Sequence, residues 1–315
     1  MLIDRLKTSA LLIVVICTLV YMDATHGMTG AEGLWLLPVL VFFSLGTAWD
    51  LAGLIQQSGR PISPFVAIAG TATVTLSACV PMLWPIFGQV YPVDCEIGQL
   101  GWIVFGVVAA VMLAMGHEMW VYGGDDQKST KSHAIGRTCS SVFVSSYVAV
   151  PMALLVSLRM MGSGNWGLAA ILTTLAVTKS SDAGAYFVGR ALGRHKLIPR
   201  LSPGKTIEGA IGGIATSTIV AFVCLRWLFP AFGFVGADLS FLHHLGGAIV
   251  LGPVLAVSGM LGDLAESLVK RDADAKDSGQ LLPGLGGVWD VTDSLIAAIM
   301  PAFLCFSAGV AGPIV

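Results

Sequence analysis

Charge is scarce in this chain. Asp, Glu, Lys and Arg together make up 11% of its 315 residues, against about 25% in ordinary soluble domains. With 55% hydrophobic residues, too little polar surface remains to cover a water-facing globule, and a soluble domain is excluded. A basic stripe interleaved with aromatics is also missing, and a net charge of −2 is uninformative by itself, so no nucleic-acid partner is expected. The six cysteines, at 17, 79, 95, 139, 224 and 305, show no C-x-x-C spacing. Five lie in or beside apolar runs, where cysteine acts as a small hydrophobe. Neither a structural disulfide nor a zinc site is expected.

What the chain has in abundance is apolar stretches long enough to cross a hydrocarbon core of about 30 Å at 1.5 Å per residue. They cover approximately residues 8–23, 34–54, 64–87, 99–121, 140–161, 165–188, 207–228, 243–265 and 287–311. The fold class expected is therefore an all-α polytopic membrane protein of about nine transmembrane helices, with a cytoplasmic N-terminus. Spans 140–161 and 165–188 are the least distinct, since only Gly162 to Gly164 separate them. The first run, behind Arg5 and Lys7, competes with a signal-peptide reading. No small-x-small cleavage site follows cleanly, so a retained span is expected.

The distribution of basic residues supports this count. Of the 17 Lys and Arg residues, all but Arg159, Lys179 and Arg226 fall in the N-terminus or in loops that nine crossings place inside. Those loops hold Arg60; Lys128, Lys131 and Arg137; Arg190, Arg194, Lys196, Arg200 and Lys205; and Lys270, Arg271 and Lys276. The outside loops 24–33, 88–98 and 229–242 contain none. The expected location is the cell inner membrane, with a polar site facing the cytoplasm.

Polar residues divide the chain unevenly. Residues 1–139 read as membrane scaffold, and 140–315 as a C-terminal catalytic region. In the scaffold, Asp50, His117 and Glu118 sit near span ends, where snorkelling to the interface accounts for them. From Lys179 onward, ionisable residues enter the spans in clusters, and charge inside a membrane is retained chiefly where it lines a cavity or has a partner.

The first cluster is Lys179-Ser180-Ser181-Asp182, continuing through Tyr186, Gly189 and Arg190. Lys179, Asp182, Tyr186 and Gly189 share a helical face; a self-neutralising Lys179–Asp182 pair is the plainer account. The second, Ser202-Pro203-Gly204-Lys205-Thr206-Ile207-Glu208-Gly209, opens the seventh span. A Walker A reading fails because Pro199 stands where glycine is required. A loop running into a helix N-terminus remains, where backbone N–H groups and Lys205 could hold an anion; a capped helix start with a Gly209/Gly213 packing pair is the alternative. The third runs from Asp263 through Glu266, Ser267, Lys270 and Arg271, then Lys276-Asp277-Ser278-Gly279, then a Pro283–Gly287 turn into Asp290 and Asp293. Asp263, Glu266, Ser267 and Lys270 share one helical face. The turn allows the two helices to return side by side, and Asp263, Asp290 and Asp293 converging there suit a hard cation such as Mg²⁺. Helix-dipole charges would explain Asp290 and Asp293 but not Asp263.

At these residues the chain resembles the CDP-diacylglycerol synthase (phosphatidate cytidylyltransferase) family. That family's C-terminal pattern is S-x-x-K-R, four residues, K-D-x-G, a Pro/Gly turn, H-G-G and D-R-x-D. Ser267, Lys270, Arg271, Lys276, Asp277, Gly279, Pro283, Gly286, Gly287, Asp290 and Asp293 match it in type and spacing. The first two clusters resemble the family's S-D-x-x-A-Y-x-x-G-R and S-P-x-K-T-x-E-G segments, so the likeness covers roughly residues 175–300. Leu285 stands in place of the histidine of H-G-G, and Val291 in place of the arginine of D-R-x-D.

The resemblance implies transfer of the cytidylyl group of CTP to phosphatidate, giving CDP-diacylglycerol and pyrophosphate. It implies one or two Mg²⁺ ions on Asp263, Asp290 and Asp293, with a monovalent cation as a further candidate. Ser267, Lys270, Lys276 and Asp277 are the implied catalytic residues. Asp182, Tyr186, Arg190, Ser202, Lys205, Thr206, Glu208, Arg271, Gly286 and Gly287 are the implied substrate contacts. The partners implied are CTP, phosphatidate, the lipid bilayer and a second copy in a homodimer. Competing readings are an altered paralogue, motivated by Leu285 and Val291; another CTP-dependent lipid enzyme; and an ion-coupled carrier. A carrier would place its charges near the midplane and show internal repeats.

Overall fold

A backbone surrounded by hydrocarbon must satisfy its N–H and C=O groups internally, which favours helices. The computed structural model, which describes residues 2–92, 94–122, 133–234 and 241–312, is built accordingly. Lys128 and Lys131 lie outside the described residues. Helices α1 Leu2–His26, α2 Leu37–Gln57, α3 Pro64–Ser77, the short α4 Leu83–Ile86, α5 Gly98–Val121, α6 Ala134–Arg159 and α7 Trp166–Leu192 follow in order. An antiparallel hairpin of β1 Lys196–Ile198 and β2 Ser202–Thr206 comes next. Then α8 Ile207–Val223 runs through a π-helical turn into α9 Phe229–Ala231. The 32-residue α10 Phe241–Asp272 and α11 Trp289–Ser307 complete the described chain.

Among the described residues, seven stretches are long and apolar enough to cross a membrane: Ile3–His26, Leu34–Gln57, Gly98–Val121, Ala134–Arg159, Ile207–Ala231, Phe241–Asp272 and Trp289–Ser307. Pro64–Ser77 with Val80–Ile86, bent by 48°, makes an eighth if taken as one span. The protein is an all-α polytopic membrane protein. The remaining expected span is α7, whose 27 residues suffice in length. Lys179, Asp182 and Arg190 interrupt its second half, so it falls outside the apolar set. Gly162 (φ 71°) and Gly164 (φ 58°) adopt left-handed backbone between α6 and α7, which makes these two separate helices.

The chain divides into two compact units, each assembled from two stretches: Met1–Ser157 with Val269–Thr292, and Leu158–Leu268 with Asp293–Val315. In the first, α3 packs on α2 and α5. Small residues permit the approach: a Cβ at Gly106 would collide with the Ser77 side chain, and one at Gly70 with Ser145 Oγ. Ser44 and Thr75 hydroxyls, 2.8 Å apart, join α2 to α3. In the second unit, α7 packs extensively on α8. A Cβ at Gly209 would stand 2.7 Å from the Ala185 carbonyl oxygen, and one at Gly213 3.0 Å from that of Ser181. Gly184 meets Thr216 in the same way. Tight apposition through small residues is how membrane helices associate without a hydrophobic driving force between them. It sets the position of α7's polar face.

Candidate phosphate and cation site

The α7–α8 apposition opens a cavity of about 460 Å³ in the second unit. Asp182, Tyr186, Gly189 and Arg190 line it from α7; Ser202, Lys205 and Thr206 from the hairpin; Met260 and Asp263 from α10. Two clusters and the first carboxylate of the third therefore face one space. Their local order is fixed by few bonds. Thr206 caps α8, its hydroxyl accepting from Gly209 N at 3.1 Å, the arrangement expected of an N-cap threonine. Glu208 accepts from Arg194 N at 3.0 Å and contacts His195 Nδ1 at 2.6 Å, so its carboxylate secures the start of the hairpin. Lys196 Nζ donates to the Pro203 carbonyl oxygen at 2.7 Å, bracing the hairpin. The result is Lys205 Nζ directed at Asp263 Oδ2, 2.7 Å away. At the cavity wall Arg190 Nη1 donates to the Tyr186 hydroxyl at 3.0 Å. The segment expected to be a plain loop is thus a β-hairpin.

Lys179 and Asp182 do pair, at 3.5 Å, but not in isolation. Lys179 Nζ donates to Ser294 Oγ at 2.9 Å, and Ser294 Oγ donates to Asp182 Oδ2 at 3.0 Å. This chain of contacts joins α7 to α11. Alongside it, Asp263, Glu266 and Asp293 each offer a carboxylate oxygen, all within 4.8 Å of one another. Oxygens that close can share one ion at the 2.0–2.6 Å distances hard cations take. The α10–α11 approach behind the cluster depends on Gly262, where a Cβ would collide with the Asp293 carbonyl oxygen. Glu266 is a member of this group that the sequence reading placed on the right helical face without assigning it a role.

The first unit holds the rest of the third cluster. Asp290 Oδ1 accepts from Lys270 Nζ at 2.9 Å. Its Oδ2 accepts from Gly287 N at 2.7 Å, Ser278 N at 2.9 Å and Ser278 Oγ at 3.0 Å. The carboxylate expected as a metal ligand is here the hub of a hydrogen-bonded loop. Gly284 (φ 80°) and Gly286 (φ 99°) give the turn its left-handed bends. Arg5 Nε and Thr8 Oγ1 on α1 hold it through the Gly284 and Pro283 carbonyls, at 2.6 and 2.8 Å. Arg271, Lys276 and Asp277 are exposed and Ser267 is half-buried.

Two scaffold residues correct the snorkelling expectation. Asp50 is 3% exposed; its Oδ2 accepts from Val288 N at 2.5 Å and Trp289 N at 3.1 Å, capping α11 from α2. Glu118 is likewise buried. Arg137 grips it with Nη2 at 2.6 Å and Nε at 2.9 Å. An acid near a span end reaches water only when nothing inside satisfies it, and these two have internal donors.

Comparison with known proteins bears on the same residues. A model described as the cytidylyltransferase family matches residues 3–308. The chain is 42% identical over 140 residues to the phosphatidate cytidylyltransferase of Haemophilus influenzae, covering 44% of this chain and 46% of that one. It is 41% identical over 169 residues to the Brucella suis protein of that name, 54% of this chain and 56% of the other. With the Bacillus subtilis protein of that name it shares 42% over 142 residues, 45% and 48% of the two chains. These alignments span about half the length of the curated relatives. The family model covers nearly all of this chain, and the chain belongs to the cytidylyltransferase family.

Proposed function

We propose that this protein transfers the cytidylyl group of CTP to phosphatidate at the cytoplasmic face of the inner membrane, giving CDP-diacylglycerol and pyrophosphate. The observation that carries this reading is that Asp182, Arg190, Lys205 and Asp263 line one cavity, with Asp263 shared by the Asp263–Glu266–Asp293 carboxylate group. Cationic side chains beside an oxygen-rich cation site suit two polyanionic reactants.

In the reaction, a phosphate oxygen of phosphatidate forms a bond to the α-phosphorus of CTP. The bond from that phosphorus to the bridging oxygen breaks, and pyrophosphate leaves with the electron pair. The attacking phosphate is already ionised, so no general base is needed. What the protein must supply is alignment and charge compensation. Lys205 and Arg190 face the cavity and contact phosphates. Lys270, which pairs with Asp290, and Lys276 are assigned to the reaction by the family pattern alone, and the Ser278–Gly287–Asp290 hydrogen bonds order their own loop. The all-oxygen donor set of Asp263, Glu266 and Asp293 fits Mg²⁺, which when bound offsets charge on the α-phosphoryl group and the leaving pyrophosphate. Asp182 provides a position for a further cation. Phosphatidate enters sideways with its acyl chains left in the bilayer, and a homodimer is the proposed assembly.

The test is transfer of radiolabel from [α-³²P]CTP into lipid by purified protein in phosphatidate-containing micelles, with Mg²⁺ or with EDTA. Metal-dependent labelling that is lost in Asp263→Asn and Asp290→Asn is the expected result. No labelling by folded, monodisperse protein refutes phosphatidate as acceptor. A panel of other phosphate-bearing lipids would then decide whether Leu285 and Val291 accompany a changed acceptor.

A further inference from the structure

We infer that Asp50 is a positioning residue for the proposed transfer: from α2 it sets the backbone that carries Asp290, and so the Lys270–Asp290 pair. The inference rests on that activity, but the residue it assigns lies on α2, outside the 175–300 segment that carries the family motifs.

Three residues of α2, at positions 46, 47 and 50, face the segment 287–292 of the same unit. A Cβ at Gly46 would stand 2.8 Å from Val288 Cγ2. The Thr47 and Thr292 hydroxyls lie 2.8 Å apart. Asp50 Oδ2 accepts from both Val288 N and Trp289 N, at 2.5 and 3.1 Å. The carboxylate is enclosed: a Cβ at Gly287 would stand 2.5 Å from Asp50 Oδ2, and one at Gly279 would collide with Oδ1. The first N–H groups of a helix have no partner within it and require an external acceptor. α11 begins at Trp289 and takes its acceptor from a helix some 238 positions away in sequence. One residue beyond those two amides stands Asp290, whose own N–H donates to Ser278 Oγ at 3.2 Å. Asp50 and Asp290 thus grip adjacent backbone from two sides, and Gly279 and Gly287 are the two places where Asp50 requires the absence of a side chain.

This role depends on acceptor geometry. Asp50→Asn keeps an oxygen at the amides, whereas Asp50→Ala and Asp50→Ser withdraw it. Full-length protein in CTP–phosphatidate micelles gives the readings. The expected result for Asp50→Ala is kcat lowered about tenfold or more with KM for CTP within about threefold, because misplacing reactive groups by an ångström is enough to do so. Asp50→Asn is expected within about threefold of wild type on the same basis. Hydrogen–deuterium exchange of the peptide covering 284–292 should accelerate in Asp50→Ala and not in Asp50→Asn. Asp23→Ala is the control; Asp23 is also buried and accepts a backbone bond, from Gly33 N at 3.0 Å, in another part of that unit. It should leave kcat unchanged. If Asp50→Ala does not fold, Asp50→Ser takes its place in every comparison. Wild-type kcat in Asp50→Ala or Asp50→Ser overturns the proposal, as does an Asp50→Asn protein as slow as Asp50→Ala. Failure of wild-type protein to label any lipid would instead overturn the proposed reaction, and the exchange measurement would still report whether Asp50 holds those amides.

Discussion

Gly262→Ala is a single methyl group placed where the carboxylate cluster is assembled. The added carbon would collide with the Asp293 carbonyl oxygen and stand 2.8 Å from Ala297 Cβ. Carbon atoms rest at about 3.5–4.0 Å, so α11 and α10 must part locally by roughly 1 Å. Backbone atoms form one side of the clash, and no rotamer change relieves it. Asp293 moves with its own carbonyl, while Asp263 and Glu266 stay on α10. A group of oxygens now within 4.8 Å of one another is thereby stretched, and Mg²⁺ tolerates little departure from 2.0–2.1 Å contacts. The half-saturating Mg²⁺ concentration for cytidylyl transfer should rise about tenfold, or ~1.4 kcal/mol. kcat at saturating metal should stay within about threefold, since no donor is removed. The assay is a Mg²⁺ titration of label transfer, with the unfolding midpoint in detergent measured beside it. Gly259→Ala is the matched control on the same helix; its Cβ would meet Thr178 Cγ2 at 3.4 Å and Ser294 Cβ at 3.6 Å, ordinary contacts. Wild-type metal dependence in Gly262→Ala, or an equal shift in Gly259→Ala, would refute the reasoning.

Three further outcomes follow from other contacts. Lys205→Met removes the cation 2.7 Å from Asp263; KM for CTP should rise at least about tenfold, measured by initial rates over a CTP series. Glu118→Ala leaves Arg137 in a partly enclosed site without its carboxylate; destabilisation of about 3 kcal/mol is expected, read as a lower unfolding midpoint in detergent, with Glu118→Gln intermediate. Thr206→Ala deletes the α8 cap and should lower stability by about 1 kcal/mol, whereas Thr206→Ser, which keeps the hydroxyl, should retain it.

Much of the site was legible because its residues repeat at helical spacing. Asp182, Tyr186 and Gly189 fall at intervals of three and four, and the structure sets them on one cavity wall. Asp263 and Glu266 were readable as one face of α10 for the same reason. The apolar runs that marked the spans were equally plain, because hydrocarbon leaves a helix few compositional choices. Long-range acceptors were not legible. Nothing near Asp50 in sequence announces that its partners are Val288 and Trp289, and a buried acid at a span end looks the same as a snorkelling one. The hairpin was missed because Ser202-Pro203-Gly204-Lys205-Thr206 has little β propensity. It is held by Glu208 and Lys196 instead of by its own pattern. The bend of 48° after Ser77 falls in a continuous apolar run and leaves no trace in hydropathy.

The length of α10 carries one more consequence. Its 32 residues extend about 48 Å at 1.5 Å each, well beyond a hydrocarbon core of about 30 Å. With Phe241 set at one boundary of such a core, Asp263 comes roughly 33 Å along the axis, about one core thickness away. The helix acts as a depth gauge. On the proposed reaction, a phosphate esterified directly to diacylglycerol would meet the carboxylates at that level, and one carried outward on a sugar or a second glycerol would stand above them. Discrimination between lipid acceptors can then rest on vertical position in the leaflet, before any side chain recognises a headgroup.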